Sequence, residues 1–101
     1  MIAEQSMTQM AASASAAEQL LKLLANKARL LVLCQLVQGE KNVTELQNSL
    51  DISQSALSQH LAKMRDQGII QCRRDGQQML YSLSSMEVNA IMSTLYLIYC
   101  K

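Results

Sequence analysis

The sequence predicts a mainly α-helical domain carrying one β-hairpin, and three observations support that class. Two capped helical segments lie three residues apart between positions 43 and 67. An Asp-Gly pair then separates two runs of alternating residues, a strong hairpin signal. Pro is absent, and the three glycines, Gly39, Gly68 and Gly76, fall at segment boundaries, where helices stop and turns form.

The first segment, residues 1–12, is polar and Ala/Ser-rich and is read as flexible. From about Ser13 the pattern is helical, because Ala17, Leu20, Leu21 and Leu24 follow i, i+3, i+4, i+7 spacing. A second helix is predicted from about Asn26 to Gln38. Leu30, Leu33, Cys34 and Val37 form its stripe, and Leu31, Val32 and Leu36 widen it beyond one face. A helix apolar almost all round must be covered on several sides. Gly39 supplies its stop.

Asn42 caps a short helix over about Val43–Leu50, with Glu45 in capping-box position. Asp51 and Ile52 turn the chain, and Ser53 caps a helix over about Gln54–Gln67. Leu57, Leu61 and Met64 face inward there. Gln54, Ser55, Ser58, Gln59, Ala62 and Lys63 occupy the other side, and Gly68 ends the helix. Residues 69–83 change to a period of two, with the turn at Asp75-Gly76. Ser84-Ser85-Met86-Glu87 reads as a second capping box. It opens a last helix, about Ser85–Tyr99, lined by Val88, Ile91, Met92, Leu95, Ile98 and Tyr99. Residues 13–101 thus form one domain.

A short capped helix followed within three residues by a second is the helix-turn-helix arrangement, and a hairpin directly after it makes the unit winged. Leu46, Leu50, Leu57 and Leu61 can fix the angle between the two helices. The outer face of the second would enter a DNA major groove N-terminus first. Its hydroxyls and amides can donate and accept without long stems.

Composition sets the outer limits. The chain has 101 residues, 50% hydrophobic and 17% charged, with a net charge of +1. That fits one folded domain. So small a core makes a partner subunit a reasonable expectation. No apolar run approaches the roughly 18 residues of a membrane span. The first cation is Lys22, so no secretory signal is read, and a cytoplasmic location without membrane association is expected. The total charge hides its distribution. Residues 53–74 hold Lys63, Arg65, Arg73 and Arg74 against Asp66 alone, four cations less one anion, or +3. Double-stranded DNA is the expected partner. Gln54, Ser55, Ser58, Gln59, His60, Lys63, Arg65, Arg73, Arg74 and Gln77 are the candidate contacts.

The three cysteines, Cys34, Cys72 and Cys100, lack CxxC spacing, which argues against a disulfide scaffold or a zinc finger. A thiol redox enzyme would want a CxxC or a Cys/His pair near a strand end, and neither is present. No enzyme activity and no cofactor are expected. Taken alone, a Cys on an apolar helix is usually a small core residue.

The run Ile52-Ser53-Gln54-Ser55-Ala56-Leu57-Ser58-Gln59-His60-Leu61, followed by Met64-Arg65-Asp66-Gln67-Gly68-Ile69-Ile70, resembles the recognition-helix motif of the ArsR/SmtB winged-helix repressors. Leu24-Ala25-Asn26-Lys27-Ala28-Arg29-Leu30 and Tyr81-Ser82-Leu83 are similar to that family too. The resemblance spans residues 17–100. It implies a homodimer joined through the first and last helices, with two recognition helices set for a pseudo-palindromic operator about 34 Å between half-site centres.

Many members sense metals, through a Cys-x-Cys motif in the first helix of the helix-turn-helix or Asp/His clusters in the last helix. This chain departs from both, reading Val43-Thr44-Glu45-Leu46-Gln47 in the first place and lacking Asp and His in the last helix. Soft metals want convergent thiolates and imidazoles, so no metal site is expected, and a metal-responsive repressor of this family stands only as an alternative reading. A Cys late in the second helix and another at the end of the last resembles instead the family's dithiol, sulfur- and redox-sensing subgroup. That implies a switch in which persulfide, polysulfide or an oxidant links Cys34 to Cys100, with Cys72 a bystander. The same resemblance admits a regulator that relieves nucleoid-protein silencing of virulence genes.

Overall fold

The computed structural model describes residues 4–100, with side chains from residue 6 onward. The order is α1 (Glu4–Leu24), α2 (Lys27–Val37), β1 (Lys41–Asn42), α3 (Val43–Asn48), α4 (Gln54–Asp66), β2 (Ile70–Asp75), β3 (Gln78–Leu83) and α5 (Met86–Tyr99). The mainly α winged helix-turn-helix is therefore present.

Helix α1 starts at Glu4, well before the expected onset near Ser13. The expectation used apolar spacing, which registers only packing. The segment's Ala, Met, Gln and Glu residues, with neither Gly nor Pro, favour helix by propensity alone. Only the last turns of α1 reach the core, through Leu23 and Leu24 with Leu20 beside them. Leu21, assigned to the inner stripe, is exposed instead, and so are Met7 and Met10.

Helix α2 is the central element. The Asn26 side chain caps it by accepting from the Arg29 N–H. Val32, Leu33 and Leu36 are buried, and the helix contacts α4, α5 and β3, which explains its broad apolar surface. Asn42 caps α3 in a full capping box with Glu45, and Ser53 caps α4 by accepting from the Ala56 N–H. Each cap satisfies N–H groups that the helix leaves open. Leu46 and Leu57 are fully buried between these helices, with Leu61 and Met64 below them.

The wing has three strands rather than two. The sheet order is β1-β3-β2, all antiparallel, with Lys41 opposite Tyr81 and Cys72 also opposite Tyr81 on the other side. β1 is too short for a period-two pattern to reveal it. The hairpin turn is centred one residue later than read, on Gly76-Gln77, with Asp75 opposite Gln78 as the last pair. Gly76 takes φ +65° while Gln77 does not have positive φ. A glycine at the first central position suits the II′ arrangement, whose twist matches the strands.

The cap of α5 also shifts by one residue. Ser85, not Ser84, is the N-cap, and its hydroxyl oxygen accepts from the Val88 N–H at 3.1 Å. Ser84 instead donates to the Gly68 carbonyl at 2.8 Å, joining the end of the wing to the end of α4. Val88 and Met92 anchor α5 in the core, whereas Leu97, Ile98 and Tyr99 are exposed on its last turns. The chain measures 51 × 31 × 22 Å, with a radius of gyration of 15.3 Å, larger than the ~13 Å of a compact chain this long. Among the described residues, no helix is long and apolar enough to cross a membrane.

Candidate nucleic-acid interface and thiol pocket

Helix α4 divides cleanly into two faces. Leu57, Leu61 and Met64 fix it to the core, while Gln54, Ser55, Ser58, Gln59, Lys63 and Arg65 are all exposed. The i, i+4, i+7 spacing of the buried residues turns the others outward. Among the described residues, Lys63 and Arg65 make no ion pair. The outer face thus offers short donors and acceptors near the N-terminus and free cations toward the C-terminus.

His60 behaves differently from these neighbours. It is half-buried, and its Nδ1 accepts from Arg29 Nε at 3.2 Å. Arg29 Nη1 also donates to the Leu23 carbonyl at 3.0 Å. One guanidinium therefore connects the end of α1 and the start of α2 to α4. An accepting Nδ1 leaves the neutral ring's proton on Nε2. Burial first, and then the Arg29 and Lys63 charges, hold the imidazole below its ordinary pKa. The sequence reading missed Arg29, because nothing in local spacing says where a helical Arg will reach.

The wing's two arginines also part ways. Arg73 donates from Nε and Nη2 to the two carboxylate oxygens of Glu40, at 2.7 and 2.9 Å. Such two-pronged pairing is the strongest fit a guanidinium makes with a carboxylate. The Arg73 hydrogen bond holds the Glu40 carboxyl below the usual carboxylate range. Arg74 Nε donates instead to the Gly76 carbonyl at 3.1 Å, and Arg74 stays exposed. Gln77 is exposed at the tip. A second bond ties the wing base, from Asn42 Nδ2 to Gln78 Oε1 at 2.6 Å. The Glu40–Arg73 and Asn42–Gln78 bonds had no sequence signal, since each spans more than thirty positions; Asn42 was legible only as a helix cap.

Two of the three thiols lie together between α2 and α5. Cys34 and Cys100 line one pocket of about 450 Å³ with Leu30, Leu31, Met92, Leu95, Tyr96 and Tyr99. Cys34 is half-buried and Cys100 exposed, and both are free thiols. Burial pushes the Cys34 thiol up, and the adjacent Cys100 adds to this through charge and a hydrogen bond. Cys72 lies on β2 opposite Tyr81, outside this pocket. Among the described residues, no group of three or more His, Cys, Asp or Glu could hold a metal ion.

Proteins similar to this chain are named as transcriptional regulators. The family model for the bacterial regulatory protein arsR family matches residues 26–71, which run from the α2 cap through α4 into β2. The transcriptional activator HlyU of Vibrio cholerae is 42% identical over 99 residues, covering 98% of this chain and 92% of the relative. The chain belongs to the bacterial arsR family. A second member, the HTH-type transcriptional regulator YgaV of Escherichia coli, is 46% identical over 96 residues, covering 93% of this chain and 96% of that one. The structure of reduced HlyU from Vibrio cholerae superposes with a TM-score of 0.86 at 44% identity, covering 92% of this chain and 98% of that chain. The transcriptional repressor BigR from Xylella fastidiosa gives the same TM-score, 0.86, at 36% identity, covering 94% and 97% of the two chains. This arsR-family chain is accordingly a DNA-binding transcriptional regulator and not an enzyme.

Proposed function

We propose that the chain is a homodimeric repressor whose hold on operator DNA is released when Cys34 and Cys100 are linked by reactive sulfur or an oxidant. The observation that carries this reading is the shared pocket of the two thiols, from residues 66 positions apart in the chain. The exposed faces of α1 and α5, carrying Met7, Met10, Leu21, Leu97, Ile98 and Tyr99, support a dimer built on those helices. Large apolar side chains left outward on two helices are a common mark of an interaction surface. Gln54, Ser55, Ser58, Gln59, Lys63, Arg65, Arg74 and Gln77 would face the operator, the first four toward base edges and the others toward phosphate. His60, held by Arg29, would brace α4 rather than reach bases.

The chemistry is a two-step exchange. Cys100 is the exposed thiol, and Cys34 is the one whose ionisation is disfavoured, so Cys100 would attack first. Its thiolate takes the sulfane sulfur of a persulfide RS–SH and expels the thiol RSH, leaving Cys100–S–SH. Cys34 then attacks the Cys100 sulfur and expels hydrogen sulfide, forming the disulfide. If both thiols are persulfidated instead, they condense to a trisulfide and release one hydrogen sulfide. Closing so long a loop is worth about 4 kcal/mol to whichever conformation accepts it. Allosteric coupling typically needs only ~1–3 kcal/mol.

Persulfide treatment should release operator DNA from the wild type but not from Cys34→Ser or Cys100→Ser, read by gel shift. Release from both variants would sink the thiol switch while leaving DNA binding intact. A second reading, activation by displacing a silencing protein, draws on one observation, that the Vibrio cholerae relative is described as a transcriptional activator. The thiol chemistry would be the same.

A further inference from the structure

Of the four cations in the DNA-facing segment, one is already spoken for. Arg73 gives both prongs of its guanidinium to Glu40. Glu40 is itself fixed in place, because the next two residues form β1 and pair with β3. Asn42 adds a side-chain bond to Gln78 on the same seam. The pair therefore joins β2 of the wing to the segment that leaves α2. Arg74, the neighbouring residue, faces no carboxylate among the described residues. Its one bond, to the Gly76 carbonyl, uses Nε and curls the side chain over the wing tip.

We infer that Glu40 is a positioning residue for DNA recognition, withholding Arg73 from phosphate and anchoring the wing so that Arg74 alone presents its charge. The physical reason is local neutrality. A guanidinium paired by both prongs with a carboxylate forms a neutral pair, which neutralises no phosphate and releases no counterion from DNA. For Arg73 to reach phosphate, Glu40 would be left unpaired beside the polyanion, and like charges so close are repelled. Arg73 therefore orients the wing, and its removal should leave the number of phosphates neutralised unchanged, while the unpaired Glu40 weakens binding. This assignment rests on the wing facing DNA, and fails separately from it.

Each phosphate neutralised adds roughly 0.9 to the slope of log K against log salt. The slope is measured with a random-sequence duplex on the wild type, Arg73→Gln, Arg74→Gln and Glu40→Gln, each checked for folding by circular dichroism. Arg74→Gln should lose about 0.9 of slope, and Arg73→Gln should keep the wild-type slope. Glu40→Gln, which frees Arg73, should gain about 0.9 and bind the random duplex more tightly. A loss in Arg73→Gln equal to that in Arg74→Gln overturns the inference, as does an unchanged slope in Glu40→Gln or in Arg74→Gln. A flat response in the wild type would sink the DNA interface itself.

Discussion

Single residues decide how the recognition helix is held. His60 stands in the middle of a polar, outward-facing run, yet its Nδ1 is taken by Arg29. Its folded pKa lies below the ordinary imidazole value, chiefly through burial. The unfolded chain therefore takes a proton first as pH falls. Stability should be constant above about pH 6.5, decline from there to the folded pKa, and level off below it. Two-dimensional NMR of the imidazole checks this, and titration at or above the ordinary value would refute the half-buried placement of the ring. At Cys34 the shift runs upward, from burial and from Cys100, so the Cys34 thiol stays protonated near neutral pH. Peptide mapping after persulfide should then find sulfur on Cys100 in the Cys34→Ser protein, and little on Cys34 in Cys100→Ser. The reverse pattern would exchange the roles of the two thiols.

At the scale of elements, the helix-turn-helix depends on a few buried leucines. Leu57 is fully buried and sets α4 against the core. Leu57→Ala should cost about 2–5 kcal/mol, measured by urea unfolding, and should weaken DNA binding by loosening the angle of α4. A loss below about 1 kcal/mol would mean the site collapses without harm. These elements were largely legible in the sequence. Caps at Asn42 and Ser53, apolar spacing at Leu57, Leu61 and Met64, and the Asp75-Gly76 signal are local, and local rules found them. What escaped was β1, a two-residue strand visible only through its partner, β3. The N-terminal half of α1 escaped for a different reason, since its side chains at positions 6–16 are exposed and leave no apolar stripe to read.

Over the whole molecule, the exposed apolar residues of α1 and α5 argue for a second copy. Tyr99 and Leu97 remain 78% and 72% exposed in the single chain. Burying such side chains typically contributes 1.5–3 kcal/mol each. The Leu97→Glu/Tyr99→Glu protein should sediment as a monomer and lose operator affinity, because two linked recognition helices bind far better than one. A double variant that remains dimeric would move the interface elsewhere.

The sequence by itself determined the order of the helices and the hairpin, the winged helix-turn-helix and the exposed polar face of α4, because each follows from spacing and caps within a few residues. It also showed that a net charge of +1 conceals a +3 segment. Only the tertiary structure decided which of those charges are free. It brought Glu40 to Arg73 across 33 positions and Arg29 to His60 across 31. It also placed Cys34 and Cys100 in one pocket. Pairing between distant side chains depends on where packed elements put their surfaces, and no local pattern along the chain encodes that.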